Sequence, residues 1–151
     1  MIDHKRRKLI LGLSGIIAAG AGSTVAALMP TPRQSSGPFY PVTLPLDDDN
    51  NLTEVAGKSG KASGIISDIS GSIIDINGNP LHNLRIEIWQ CDANGRYRHP
   101  REQATRPIDE NFQGHGFTNT NAQGLYRFRT IRPVPYPGRT PHIHIAVFPH
   151  G

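Results

Sequence analysis

Two histidines end the proline-rich stretch Pro135-Tyr136-Pro137-Gly138-Arg139-Thr140-Pro141-His142-Ile143-His144. They begin an alternation of apolar residues through Phe148, which predicts a β-strand over residues 142–148. Because alternate side chains of a strand share a face, both imidazoles are expected on one side, about 7 Å apart along the strand. Two imidazoles that converge from one strand supply half of a metal site. An exposed polar strand edge is the alternative interpretation of an isolated His-x-His pattern.

The composition bounds the rest of the chain. Its 151 residues provide for one domain with one core, and 16 glycines with 13 prolines are typical of short strands joined by turns. The formal net charge is +4, but the first thirty residues carry +3 of it. The near-neutral remainder excludes the electrostatic footprint of a polyanion-binding protein, so no nucleic-acid partner is expected. The single Cys91 excludes an intramolecular disulfide and is expected to pack as a small apolar residue.

The N-terminal residues have the pattern of an export signal. Four basic residues precede the uncharged, Ala- and Gly-rich residues 9–29, which predicts a signal segment over residues 1–30. The pair Arg6-Arg7 resembles a twin-arginine signal, so we expect an exported protein, periplasmic or otherwise extracytoplasmic. A membrane tether through residues 9–29 is the alternative, because 21 uncharged residues can span a bilayer.

The chain after residue 30 predicts strands and turns without helical periodicity. Residues 31–63 are expected to form a Pro-rich linker and N-terminal arm, in which residues 37–41 either cover a pocket or cross the core surface. The β-branched runs of residues 64–76, the turn at 77–80 and the alternating run at 84–89 together predict a hairpin.

Further turns and strands follow the predicted hairpin. Turns are expected at residues 92–95 and 121–124, an irregular loop over 100–117 and a strand over 125–130. We therefore predict an all-β fold, a β-sandwich with long active-site loops over residues 64–151. Trp89 and Tyr126 are expected in the core and His82 in solvent. His99 and His115 are expected to line the site without binding a metal.

Four candidate metal ligands lie on or beside loops at strand ends: Tyr97, Tyr136, His142 and His144. A phenolate is a hard anionic donor whose ordinary pKa is about 10, so only a strongly Lewis-acidic ion deprotonates it at neutral pH. Two phenolates and two imidazoles suit ferric iron better than zinc, which favours thiolate, imidazole and carboxylate. A copper or zinc site that uses only the histidines is the alternative.

Five segments, in order and in approximate spacing, resemble the intradiol ring-cleavage dioxygenase family. They are residues 37–40, 86–90, 94–99, 128–131 and 135–144, so that the resemblance covers residues 37–148. Five matching segments in register are far more specific than any one motif. The family's fold is a β-sandwich, which agrees with the strand pattern.

The resemblance implies a function and a role for each site residue. It implies Fe(3+) held by Tyr97, Tyr136, His142 and His144, and cleavage of a catechol-type, protocatechuate-like ring with O2 to a cis,cis-muconate-type product. Tyr136 is then expected to take a substrate proton and leave the metal. Arg139 is expected to stabilise negative charge that develops on the substrate. A homo- or hetero-oligomer is also expected.

One departure from the family concerns the C-terminal end. Family members continue through further strands, whereas Gly151 lies seven residues beyond His144. We expect part of the sandwich to be missing, with an exposed edge and an uncovered apolar face, unless a partner chain covers them. The competing functional hypothesis is a non-catalytic β-sandwich binding module or an inactive truncated relative. Such a module has no need of two tyrosines and a His-x-His pair.

Overall fold

The computed structural model describes residues 28–45, 47–103 and 105–148. These residues form five strands and no helix: β1 (Ile66–Ser72), β2 (Arg85–Trp89), β3 (His115–Asn119), β4 (Leu125–Ile131) and β5 (His144–Phe148). The all-β prediction is confirmed. Most of the predicted signal segment, residues 1–27, lies outside the described residues, within which no helix has the length and apolarity to cross a membrane.

The strands form two antiparallel sheets. β1 pairs with β4, while β2 lies between β3 and β5. In the second sheet Trp89 of β2 is flanked by His115 of β3 on one side and by His144 of β5 on the other. Since opposite residues of antiparallel strands share a face, these three rings project from the same side of the sheet.

A shared hydrophobic core joins the two sheets into the predicted sandwich. Ile86 and Ile88 of β2 and Phe128 and Ile131 of β4 are fully buried in this core. The alternation along β2 therefore sends its isoleucines into the core and leaves its polar and aromatic residues on the opposite face.

The predicted hairpin between residues 64–76 and 84–89 is wrong, because β1 and β2 belong to different sheets. The turn at 77–80 does form, since the Asp75 carboxylate accepts the backbone N–H groups of Asn77 and Asn79. It closes only one isolated bridge, from Ile74 to Pro80. Pro80 has no N–H with which to extend a ladder, and the chain crosses to the other sheet.

β3 replaces the end of the irregular loop expected over residues 100–117. His115, expected in that loop, is a buried strand residue. Because glycine is uncommon in strands, Gly116 hides the strand pattern in the sequence. Close packing explains why this position has no side chain. A Cβ there would overlap the Asp49 carbonyl oxygen and lie 2.6 Å from the Leu52 side chain.

Residues 48–52, expected in the linker, cross between the sheets. The Asp48 carbonyl accepts the N–H of Phe117 in β3, and the Asn50 carbonyl accepts that of Arg129 in β4. Leu52 is fully buried in the shared core. The domain division at residue 63 stays a prediction, although this part of the arm belongs to the core.

The last strand begins at His144, two residues later than predicted, so His142 precedes it. β5 is an edge strand of its sheet. Its core-side residues Ile145 and Val147 are 46% and 43% exposed. The described residues therefore cover the core side of β5 only in part.

We expect Gly116→Ala to lower the free energy of unfolding by about 1–3 kcal/mol, because the new methyl group meets the Asp49 carbonyl oxygen and the Leu52 side chain in the segment that crosses between the sheets. Urea denaturation followed by circular dichroism measures the change. Ser70→Ala on the exposed face of β1 is the control and should leave stability within about 0.5 kcal/mol of the parent chain. Equal stability of Gly116→Ala and the parent would contradict the tight packing at this position.

Candidate metal centre

The turn at residues 92–95, which was predicted from the sequence, positions Tyr97 in the interior. The Asp92 carboxylate is 2% exposed and organises this turn, because Oδ1 accepts the N–H groups of Asn94 and Arg96. Its Oδ2 accepts the N–H of Asp109, which ties the following loop to the turn. Tyr97 then enters the protein with 3% of its surface exposed.

Gly95 brings the loops of the two tyrosines into contact. Its φ of +71° lies in the left-handed region, and a Cβ there would lie 2.7 Å from the Pro135 carbonyl oxygen. Both the conformation and the close approach require glycine. The loop that carries Tyr136 can therefore lie directly against the turn that carries Tyr97.

A β-turn over residues 136–139 positions Tyr136 and Arg139. The Arg139 N–H donates to the Tyr136 carbonyl at 2.9 Å. Pro137 and Gly138, the latter with a φ of +77°, occupy the positions that a type II turn favours for these residues. Tyr136 is half-buried, and Arg139 is exposed beside it.

The two histidines present their Nε2 atoms to one point. His142 Nδ1 lies 2.6 Å from the Thr140 carbonyl oxygen, so it carries the proton and donates, which leaves Nε2 with a free lone pair. The Nε2 atoms of His142 and His144 are 3.2 Å apart. This is a hydrogen-bonding distance, and nitrogens this close could both bind one ion.

His144 is held by the β2–β5 pairing. Its ring stacks on Trp89 with centroids 4.7 Å apart and planes 3° from parallel. Burial, together with the neighbouring His142 and Arg139, lowers the pKa of His144 to about 4. The imidazole is therefore neutral at pH 7, the form that binds metals.

The two phenols complete a ring of four aromatic donors. Tyr97 and Tyr136 have centroids 5.2 Å apart, and Tyr136 lies 5.3 Å from His142. Tyr97 lies 6.4 Å from His144. The structure thus brings the four sequence-predicted ligands together, and that they bind a metal stays a prediction.

The Tyr97 hydroxyl is buried, and no side chain or backbone group in the described part of the protein hydrogen-bonds to it. Burial first, and then the nearby Tyr136, raises the pKa of Tyr97 well above its usual value. A buried hydroxyl with no partner is destabilising, which is expected where a bound group supplies the missing interaction.

The donor set fits a hard trivalent ion. Within the described residues, no three His, Cys, Asp or Glu side chains come together as a metal cluster. The two phenols are the neighbouring donors beside the two imidazoles, and two phenolates with two imidazoles suit Fe(3+) better than zinc.

Residues 37–41, here called the aromatic segment, cover this site. The sequence left open whether they cover a pocket or cross the core surface, and the first alternative is the one observed. Phe39 stacks on Tyr97 with centroids 4.6 Å apart and planes 16° from parallel. It also meets Tyr136 edge-on at 5.9 Å. A Cβ at Gly37 would lie 3.6 Å from His144 Cε1, so the backbone itself passes the imidazole.

Other residues singled out in the sequence lie around the four donors. His99 meets Phe39 edge-on, and its Nδ1 accepts the N–H of Arg101, so it is outside the donor set. Trp89 is buried as predicted, but in a cluster beside the site rather than in the shared core.

The sequence did not reveal one contact near the site, in which the Tyr40 hydroxyl lies 2.7 Å from the Glu87 carboxylate. Glu87 alternates with apolar residues on a strand, and a polar residue in such a pattern ordinarily faces solvent.

Comparison with known proteins identifies relatives of this chain. A family model described as a dioxygenase matches residues 36–149. The chain is 42% identical over 111 residues to the protocatechuate 3,4-dioxygenase beta chain of Burkholderia cepacia, covering 69% of this chain and 46% of the relative. It is 34% identical over 140 residues to hydroxyquinol 1,2-dioxygenase of Corynebacterium glutamicum, covering 89% of this chain and 42% of the relative. The chain thus spans less than half the length of these two relatives.

A solved structure is similar to the described fold. The dioxygenase domain of a dioxygenase–carbohydrate-binding protein fusion from Streptomyces sp. SirexAA-E matches with a TM-score of 0.60 and 29% identity, covering 79% of this chain and 66% of that chain. The family model spans the aromatic segment, both tyrosine turns and the His-x-His strand. The chain therefore belongs to the intradiol ring-cleavage dioxygenase family.

Proposed function

We propose that this chain forms the metal-binding part of an enzyme that cleaves a catechol-type ring with O2 between the two hydroxyl-bearing carbons, giving a cis,cis-muconate-type product. Fe(3+) is held by Tyr97, Tyr136, His142 and His144. The observation that carries the proposal is the convergence of two phenols and two imidazoles at one end of one sheet. The relatives described above are named for protocatechuate and hydroxyquinol, two aromatic compounds with adjacent hydroxyl groups.

When bound, Fe(3+) supplies a Lewis acid and a template for a chelating diol. The protein supplies the geometry. His142 is held by a carbonyl and His144 by Trp89, so their Nε2 atoms lie close together and face one position. Two phenolates bring negative charge that offsets the charge of the ion and favours the ferric state.

The surroundings of the two tyrosines suit different roles. Tyr97 is 3% exposed and stacked under Phe39, so it serves as a fixed donor. Tyr136 is half-buried in an accessible turn, so its phenolate oxygen is able to accept a proton from a substrate hydroxyl and move away. The exposed Arg139 guanidinium, three residues on, stabilises negative charge that develops on the ring.

The proposal extends to the substrate and to assembly. A protocatechuate-like catechol is favoured by the 42% identity to a protocatechuate 3,4-dioxygenase chain. A homo- or hetero-oligomer is supported by the edge position of β5 and by the exposure of Ile145 and Val147.

The export proposal rests on the sequence of residues 1–30 alone, with its Arg6-Arg7 pair and uncharged stretch. The alternative, a tether through residues 9–29, places the same domain outside the cytoplasm. Cell fractionation tests the proposal, since recovery of the full chain from the cytoplasm alone would exclude both forms.

The ligand set is tested by the visible spectrum of the iron-loaded chain. We expect a tyrosinate-to-Fe(3+) charge-transfer band, which Tyr97→Phe and Tyr136→Phe each shift or weaken because each removes one phenolate. Tyr126→Phe, on β4 and away from the site, is the matched control and should leave the band unchanged. A chain that takes up iron without colour, or none at all, would remove the basis for the enzyme and favour a binding module.

Arg139→Ala should lower kcat by about 100- to 1000-fold, because a charge-stabilising donor contributes mainly in the transition state. Iron content and the visible band should stay as in the parent, since Arg139 is outside the donor set. Arg132→Ala, exposed in the same loop, is the control and should keep nearly full activity. O2 uptake with a catechol-type substrate is the measurement, and equal losses for both variants would refute a specific role for Arg139.

Iron binding should release protons, and its affinity should rise with pH. Tyrosine phenols are ordinarily protonated at neutral pH, and the raised pKa of Tyr97 keeps that phenol so, whereas His144 is already neutral above about pH 5. Each bound phenol therefore releases one proton. Indicator-dye measurement at pH 7, with saturating azide to occupy positions that water would otherwise take, should find one proton fewer per ion for Tyr97→Phe than for the parent. Equal release by both would show that Tyr97 does not bind as phenolate.

A further inference from the structure

Glu87 lies outside the donor set, yet its carboxylate is buried in the middle of β2, with 3% of the side chain exposed. A buried carboxylate is strongly destabilising unless it is paired and hydrogen-bonded. Arg85 Nε donates to Oε1 at 2.6 Å, the Tyr40 hydroxyl donates to Oε2 at 2.7 Å, and His115 Nε2 lies 3.2 Å from Oε2. Burial opposes ionisation, but these contacts outweigh it and hold the pKa of Glu87 below its usual value.

The three partners of Glu87 differ in what else holds them. Arg85 is on the same strand and His115 on the neighbouring β3, so the sheet fixes both. Tyr40 instead belongs to the aromatic segment, 47 residues away in sequence. Among the described residues 29–45, the Tyr40 hydroxyl makes the one hydrogen bond to the sheets. Without this bond, the aromatic segment is held by apolar packing and ring contacts.

The position of Tyr40 determines where its neighbours lie. Its ring meets Trp89 edge-on at 5.0 Å, on the strand that also holds Glu87. The preceding Phe39 lies on Tyr97, and the backbone at Gly37 lies against His144. One hydroxyl–carboxylate bond therefore fixes a segment that covers two of the four donors.

We propose that Glu87 is a positioning residue that holds the aromatic segment closed over the metal centre by accepting the Tyr40 hydroxyl. Its importance for the reaction rests on the proposed function, but the closure itself is a property of the chain with or without metal. When the bond is lost, the segment opens more often while the sandwich stays folded. If the carboxylate served only the fold, loss of its bond would instead destabilise the aromatic segment and the sandwich together.

Limited proteolysis of the full-length chain separates these two roles, because cleavage tracks the population of an opened state when opening is fast. Chymotrypsin cleavage after Phe39 reports opening of the aromatic segment. Cleavage after Phe128, fully buried in β4, reports unfolding of the sandwich. Mass spectrometry resolves the two products and gives both rates from one sample.

Tyr40→Phe removes the hydroxyl and keeps the ring. We expect cleavage after Phe39 to become about tenfold faster, the effect of losing one hydrogen bond to a charged group, with the rate after Phe128 unchanged. Glu87→Gln keeps an acceptor oxygen without the charge and should give a smaller increase of the Phe39 to Phe128 rate ratio. Tyr126→Phe makes the same chemical change far from the segment and should leave both rates at the parent values.

Two results would overturn the proposal. One is a parent-like rate after Phe39 in Tyr40→Phe, which would mean that ring contacts alone hold the segment. The other is an equal acceleration at Phe39 and Phe128, which would mean that the bond serves the whole fold. Neither readout involves iron, so a failure of the proposed dioxygenase activity leaves the result on Glu87 intact, and the reverse also holds.

Discussion

The register in which β2 pairs with β5 is the constraint on which the site depends. Trp89 faces His144 in this register, so the imidazole stacks on the indole and points its Nε2 towards His142. A slip by one residue would turn Ile145 to the site and His144 to the core, because side chains alternate between faces. The isoleucines of β2, buried in the shared core, oppose such a slip. Packing on the core face of β2 thereby determines which side chains of β5 lie at the site.

The candidate metal centre also depends on two turns, one with Gly95 and the other with Pro137 and Gly138. Gly95 allows the Tyr97 turn to touch the loop of Tyr136, and the turn at residues 136–139 sets the direction of that loop. The protein chain alone already brings the four candidate donors together, so an ion would find them arranged in advance. Such preorganisation limits the entropy that binding would otherwise cost.

Local sequence patterns predicted most of the strands and turns. The strand pairing and the Glu87 contact, which depend on residues far apart in the sequence, were not predicted. The alternation at residues 125–130 and the turn at 92–95 are local signals, and both elements are present. Pairing partners are not local, so adjacent β-rich runs were joined into a hairpin that the core does not form. Residue chemistry and positions beside strand ends suggested the four candidate donors, and the resemblance to a family assigned them to iron, because residue chemistry alone left a copper or zinc site open. Glu87 escaped notice since its partner Tyr40 lies 47 residues away.

Trp89 is the only tryptophan in the sequence, and its stacking on His144 has an optical consequence. The centroid of its indole lies 4.7 Å from that of an imidazole in the candidate donor set. Tryptophan emission from this chain therefore comes from one known place beside the candidate metal centre. The chain carries a built-in probe of its own site, with no label to attach and no other indole to subtract.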